Sequence, residues 1–234
     1  MNLTGRNLLS MADMSPDEIS GLLEQASAIK TGTESPDLRS KSLGMIFEKP
    51  SLRTRVSFTV AMNQMGGSCL ELGKEIGIGS REPFEDVVMV LSRYFDALVM
   101  RTYSQGRLEH LADVASIPVI NALSDQEHPC QALADVLTIG EHIGSSSDVD
   151  IAYVGDANNV ACSLAIAAAS LGMNSRFIFP AGYSMPEWVV REAASRASKS
   201  NARFLITTDP LSSLQGANVV YTDVWISMGQ EDQG

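Results

Sequence analysis

The chain has 234 residues, of which 44% are hydrophobic and 19% charged, and its formal net charge is −11. That is enough apolar material for one large domain or two modest ones with their own cores, and it excludes a disordered chain. A nucleic-acid-binding domain carries the opposite charge balance, so basic residues that cluster here suit a small anion.

The three cysteines, Cys69, Cys130 and Cys162, have no CxxC spacing. This argues against a disulfide framework or a zinc site and suits a reducing, cytoplasmic setting. The stretch Met1 to Arg6 lacks an apolar signal region, and no apolar run reaches membrane-spanning length. No partnership with nucleic acid or membrane is expected.

Leu8 to Met14 reads as a loop. Ser15 is the expected N-cap of a first helix, with Pro16 at its first position and Asp17 and Glu18 in its first turn. Ile19, Leu22, Leu23, Ala26 and Ile29 follow at helical spacing. A polar loop, 32–42, leads to a short apolar strand, Gly44-Met45-Ile46-Phe47. After the turn Glu48-Lys49-Pro50 comes Ser51-Leu52-Arg53-Thr54-Arg55, which opens an amphipathic helix through Val56 to Met65. A helix start has unpaired N–H donors and partial positive charge, and Ser51 is a suitable cap. Arg53 and Arg55 add guanidinium forks that fit phosphate oxygens. The stretch therefore describes a phosphate site.

Gly66-Gly67 ends that helix, and Cys69 to Leu72 is a short strand. The loop from Gly73 to Pro83 has three glycines with Lys74 and Arg81, a composition suited to folding over an anion. Phe84 to Tyr94 is a helix. Asp96 to Met100 is a buried strand that delivers Arg101 at its carboxyl end, where open parallel sheets bind ligands. A helix over Arg107 to Ala115 and a strand over Pro118 to Leu123 follow. A loop then presents His128-Pro129-Cys130-Gln131 at the start of a helix reaching about His142. His110 and His142 read as structural.

A domain boundary is expected near Gly144 to Asp148, giving domains 1–145 and 146–234. The second half repeats the strand–helix alternation, with strands at Asp150 to Val154, Ser175 to Phe179, Arg203 to Ile206 and Asn218 to Tyr221. Helices are expected at Val160 to Leu171, Pro186 to Ala197 and Pro210 to Leu214. The fold class is α/β, with two domains that each hold a parallel sheet flanked by helices. The turn Gly155-Asp156-Ala157-Asn158-Asn159 lacks the later glycines of a dinucleotide fingerprint. Its amides and carboxylate suit a small polar ligand.

Five segments, read together, resemble the aspartate/ornithine carbamoyltransferase family, and its ornithine branch in particular. They are Phe47 to Arg55 (FEKPSLRTR), Met100-Arg101-Thr102, His128-Pro129-Cys130-Gln131, Gly155 to Asn159 and Asp223-Val224-Trp225-Ile226-Ser227-Met228-Gly229. They occur in family order across nearly the whole chain. The resemblance implies a first domain for carbamoyl phosphate, a second for the amino acid, and a homotrimer, or a multiple of one, with active sites at subunit interfaces.

It further implies that Ser51, Leu52 (through its amide), Arg53 and Thr54 hold the phosphate. Arg101 bridges phosphate and carbamoyl oxygen. His128 and Gln131 bind the carbamoyl group, with Arg101 and His128 catalytic. Asn159, Asp223, Ser227 and Met228 hold L-ornithine. The neutral δ-amine attacks the carbamoyl carbon, and Arg101, His128 and Thr54 meet the charge that builds on its oxygen. The products are citrulline and phosphate, in arginine biosynthesis or catabolism, with no metal, cofactor or covalent enzyme intermediate. Orientation of the two substrates falls to domain closure. Cys130 reads as packing.

The chain departs from the family in three places. Leu52 stands where Thr is common, and Glu75 where Gln is common. The chain also stops before the family's His-Cys-Leu-Pro motif and final helix, so the second domain is expected to be incomplete. Other acceptors of the same chemistry are N-acetylornithine and putrescine. A non-catalytic carbamoyl phosphate binder is the reading from a different class.

Overall fold

The structure is a computed structural model that describes residues 3–73, 81–144 and 149–223. Two compact units form, one from 1–9 and 24–125, the other from 10–23 and 126–234. Each holds a four-stranded, all-parallel sheet flanked by helices. The expected α/β class with two parallel sheets is therefore the observed one.

The first sheet is built from β1 (Ser42–Phe47), β2 (Ser68–Leu72), β3 (Ala97–Arg101) and β4 (Val119–Leu123), in the order β2-β1-β3-β4. Helices α2 (Leu52–Gln64), α3 (Phe84–Tyr94) and α4 (Gln105–Val114) make the crossovers. Strands β1, β3 and β4 are largely buried and read as apolar runs, whereas β2 at the sheet edge is mostly exposed. Ile46, Leu98 and Met100 pack on one face with Val88, Leu108 and Leu111. Met45, Phe47 and Val99 pack on the other with Met62 of α2. Gly44 permits the close approach behind β1. A Cβ there would meet Leu98 Cδ2 and Phe95 Cδ2, each at 2.8 Å.

The second sheet contains β5 (Asp150–Val154), β6 (Asn174–Ile178), β7 (Phe204–Thr207) and β8 (Val219–Thr222), in the order β7-β6-β5-β8. Tyr153, Phe177 and Phe179 form its aromatic centre, with Tyr153 centroids 5.7 and 6.2 Å from the two phenylalanines. Helix α6 (Asn159–Ser170) is buried along its length from Val160, packed between α5 (Pro129–Ile143) and α7 (Glu187–Ser200). Its alanines and serines allow that close packing on all sides. The last helix of the unit is α8 (Pro210–Ser213).

The segment read as a loop before α1 (Pro16–Lys30) contains a 3-10 helix, Met11–Asp13. It is pinned from a distance within the second unit. Arg196 of α7 donates to the carbonyls of Met14 at 2.7 Å and Ala12 at 2.8 Å. The amide of Met11 donates to Glu127 at 3.0 Å. Ser15 and Glu18 close a reciprocal capping box at the start of α1, at 2.9 and 3.3 Å.

Candidate active site

Both sheets reverse their winding direction once. In the first the reversal lies between β1 and β3, and in the second between β5 and β8. Crevices at the carboxyl ends of strands open at such reversals, and ligands bind there. In the first unit Arg53, Arg101 and the start of α2 come together there, and in the second Asn159 opens the helix that follows β5 while Asp223 follows β8.

In the first unit, Phe47 at the end of β1 is the register partner of Arg101 at the end of β3. Ser51 sits at the N-cap of α2, and Leu52, Arg53 and Thr54 form its first turn. The Ser51 side chain makes no capping hydrogen bond. In contrast, Ser104 caps α4 and Asn158 caps α6. The first amides of α2 thus keep their donors for something other than Ser51. The helix also has no acidic residue in its first turn, and carries Arg53 there instead. Cations at a helix N-terminus oppose the helix dipole.

Arg101 adds to this positive potential. Partial burial, and then the neighbouring Arg53 cation, push the Arg101 guanidinium below its ordinary pKa. Its buried Nε has no hydrogen-bond partner among the described residues. Two guanidiniums and an uncapped helix start converge here. An oxyanion relieves all three conditions at once.

Arg55 does not join them. It pairs with Glu71 at 2.8 Å and lies over the Phe47 ring at 5.1 Å, so its fork is committed to β2 and β1. The Leu52 side chain is 78% exposed, which leaves only its backbone for a ligand.

Glu48 is a residue the sequence reading passed over. Its carboxylate accepts from Thr102 Oγ1 and from Arg107 Nε, both at 2.5 Å. Its amide donates to the Arg101 carbonyl at 2.9 Å. Glu48 therefore ties the turn that leads into α2 to the end of β3. An acid between an apolar strand and a basic helix start gives only a faint signal in sequence.

In the second unit, His128 stands at the N-cap position of α5 with Pro129 at the first helical position. The His128 amide donates to Ser163 Oγ at 2.9 Å, and Ser163 donates to Glu127 at 2.9 Å. Glu127 is 1% exposed and also accepts from Ser10. Burial raises its carboxyl pKa against those hydrogen bonds. Gln131, in the first turn of α5, donates through Nε2 to Asp135 Oδ1 at 2.9 Å. Burial pushes the Cys130 thiol up to about 12, so it is no thiolate at neutral pH.

Asn159 is the first residue of α6, and Asp223 follows β8. Asn158 joins the two strand ends. Its Oδ1 accepts from the amides of Val160 and Ala161 at 3.0 and 3.1 Å, and its Nδ2 donates to Asp223 at 2.6 Å. The Tyr153 hydroxyl donates to the same Oδ1 at 3.3 Å. Burial, then the Asp223 and Asp156 carboxylates, raise the Tyr153 pKa. Ser227 and Met228 lie outside the described residues, as does most of the glycine-rich loop. Among the described residues, no group of three or more metal-ligating side chains occurs, and no helix is long and apolar enough to cross a membrane.

Known proteins share this fold. Residues 6–141 match the aspartate/ornithine carbamoyltransferase carbamoyl-P binding domain, and 147–234 match the Asp/Orn binding domain of the same family. The chain is 48% identical over 236 residues to an ornithine carbamoyltransferase of Anoxybacillus flavithermus, covering 99% of this chain and 75% of that relative. It is 48% identical over 234 residues to one of Synechococcus elongatus, covering 100% and 76%. The solved ornithine carbamoyltransferase from Pyrococcus furiosus superposes with a TM-score of 0.94 at 45% identity, covering 100% of this chain and 76% of that one. The solved enzyme from Gloeobacter violaceus gives 0.89 at 43%, covering 95% and 75%. The chain thus spans about three quarters of the length of these relatives. By sequence match in both halves and by fold, it belongs to the aspartate/ornithine carbamoyltransferase family.

Proposed function

We propose that the chain transfers the carbamoyl group of carbamoyl phosphate to the δ-amine of L-ornithine, giving L-citrulline and phosphate. The observation that carries this reading is the convergence of Arg53, Arg101 and the uncapped start of α2 at the winding reversal of the first sheet. Ser51, Arg53, Thr54 and the amides of the first turn, including that of Leu52, hold the phosphate. Arg101 bridges phosphate and carbamoyl oxygen. His128 and Gln131 hold the carbamoyl group. Asn159, Asp223, Ser227 and Met228 hold ornithine.

The chemistry follows from charge. The neutral δ-amine attacks the carbamoyl carbon and forms the new C–N bond. Negative charge grows on the carbamoyl oxygen, where Arg101, His128 and Thr54 oppose it. The C–O bond to phosphate then breaks, and phosphate leaves with the proton that the amine sheds, as the anion that the first unit's cations favour. Losing one such donor costs about 10²–10³ in rate. An acid at position 223 selects an ammonium, which favours a diamino acid over an acceptor with a second carboxylate.

A homotrimer belongs to the same reading. It is supported by an apolar row on α2, where Leu52, Val56 and Val60 are 78%, 51% and 44% exposed. A cytoplasmic setting fits three cysteines that form no disulfide among the described residues. The test compares acceptors: citrulline formation with ornithine should exceed carbamoylation of N-acetylornithine and putrescine. Equal rates, or a preference for either alternative, would sink the ornithine assignment.

A further inference from the structure

Within the second unit, one hydrogen bond decides the chemistry that Gln131 offers. A glutamine amide has two different ends, an acceptor and a double donor, which rotation by half a turn exchanges. Gln131 Nε2 lies 2.9 Å from Asp135 Oδ1, four residues on along α5. A carboxylate can only accept. The flipped amide would set two oxygens against each other, so Asp135 fixes which end of Gln131 is which. Burial raises the Asp135 carboxyl pKa, and the Gln131 amide and the neighbouring Tyr221 hydroxyl of β8 act against that rise by favouring the carboxylate. The Asp223 carboxylate is the other charged group that acts on it.

We infer that Asp135 is a positioning residue that locks Gln131 with its acceptor oxygen toward the carbamoyl nitrogen, and so selects a carbamoyl over an acyl phosphate. This rests on the proposed role of Gln131 in holding the carbamoyl group. The carbamoyl –NH2 is a donor and needs an acceptor opposite it. An acetyl –CH3 in its place would leave the Gln131 oxygen unpaired, and a desolvated acceptor without a partner is costly. With the amide free to turn, the site would accommodate either ligand.

Two hydrolytically stable probes isolate that end of the ligand. Phosphonoacetamide and acetonylphosphonate differ only in –NH2 against –CH3. Their dissociation constants, and that of inorganic phosphate, are to be measured by calorimetry on the full chain. The unsubstituted chain should prefer phosphonoacetamide by about tenfold or more, the worth of one well-placed hydrogen bond. Asp135→Asn keeps the shape but can donate or accept, so the preference should fall below about threefold while phosphate affinity stays unchanged. Asp135→Ser can also do either, and serves if the first variant fails to fold. Gln131→Leu should lose the preference too, and adding Asp135→Asn to it should change nothing further. A merely structural role would weaken both probes equally and keep their ratio.

A variant of Asp135 that binds phosphate normally and retains the full preference overturns the inference and leaves the proposed function standing. An unsubstituted chain that binds both probes equally also overturns the inference alone. An unsubstituted chain that binds neither probe nor phosphate overturns both.

Discussion

Asn158 donates to the Asp223 carboxylate at 2.6 Å, while its own oxygen accepts the first amides of α6. One side chain thus closes a helix and orients the acid at the end of a neighbouring strand. The two jobs separate by mutation. Asn158→Ala should cost about 1 kcal/mol of stability through the lost cap and should also weaken ornithine binding. Asp223→Asn should leave the melting temperature nearly unchanged and raise the ornithine KM by about 10–100-fold, the range of a charge-assisted hydrogen bond. Calorimetric melting beside steady-state kinetics distinguishes them. A drop in melting temperature for Asp223→Asn equal to that for Asn158→Ala would contradict the separation.

Arg53 and Arg101 form a like-charge pair that an anion relieves. Such a pair trades stability of the free chain for binding. Arg101→Met should therefore leave the unliganded chain as stable as before, or more so. It should also abolish the thermal shift that phosphate produces. In the unsubstituted chain, phosphate at a hundred times its Kd should add about 2.7 kcal/mol. A variant that melts lower without ligand, yet still shifts normally with phosphate, would mean Arg101 serves the fold.

Glu48 holds Thr102 and Arg107 at 2.5 Å each. The Arg107 side chain is 38% exposed, so solvent screens part of that pair. Glu48→Gln should cost about 1 kcal/mol, with the charge-assisted component lost. Because the same residue ties the α2 turn to β3, phosphate affinity should fall together with stability. Denaturant titration and phosphate calorimetry on one preparation test this. Lost stability with unchanged affinity would confine Glu48 to a structural role.

Glu127 is a buried acid whose folded pKa is raised, chiefly by burial. Below the ordinary carboxyl range it is protonated in both states and has no pH-dependent effect. As pH rises past that range, the unfolded chain releases the proton while the folded chain keeps it. The folded state then binds more protons, so stability falls with rising pH until the raised pKa is passed. Glu127→Gln should remove this component. The stability difference, variant minus unsubstituted chain, should grow in the variant's favour from pH 4 to neutrality. A flat difference, measured by denaturant melts across that span, would contradict it.

The Cys130 thiol, pushed up to about 12, cannot act as a nucleophile near neutral pH. Cys130→Ala should retain the rate within about threefold, since it changes packing and not chemistry. Loss of activity with retained folding, seen by circular dichroism, would return the thiol to the mechanism.

Most elements were legible in the sequence because each repeats a strong local pattern. Helix α3 over Phe84–Tyr94 and strand β5 over Asp150–Val154 lie where periodicity puts them. Other ends shift by a residue or two, as with α6, which starts at Asn159 because Asn158 caps it. What the sequence hid depends on distant partners. The 3-10 helix at Met11–Asp13 is held by Glu127 and Arg196, far along the chain. Arg55 looked like a second phosphate fork until Glu71 and Phe47 claimed it. The Asp135–Gln131 hydrogen bond spans one turn of α5, but its meaning depends on knowing which amide end faces the acid.

The most direct measurement is citrulline formation by the purified chain, with carbamoyl phosphate and ornithine varied independently and released phosphate counted in parallel. The account predicts saturation in both substrates, one phosphate per citrulline, and loss of turnover in Arg101→Met. Phosphate release without citrulline, or citrulline formation indifferent to Arg101, would contradict it.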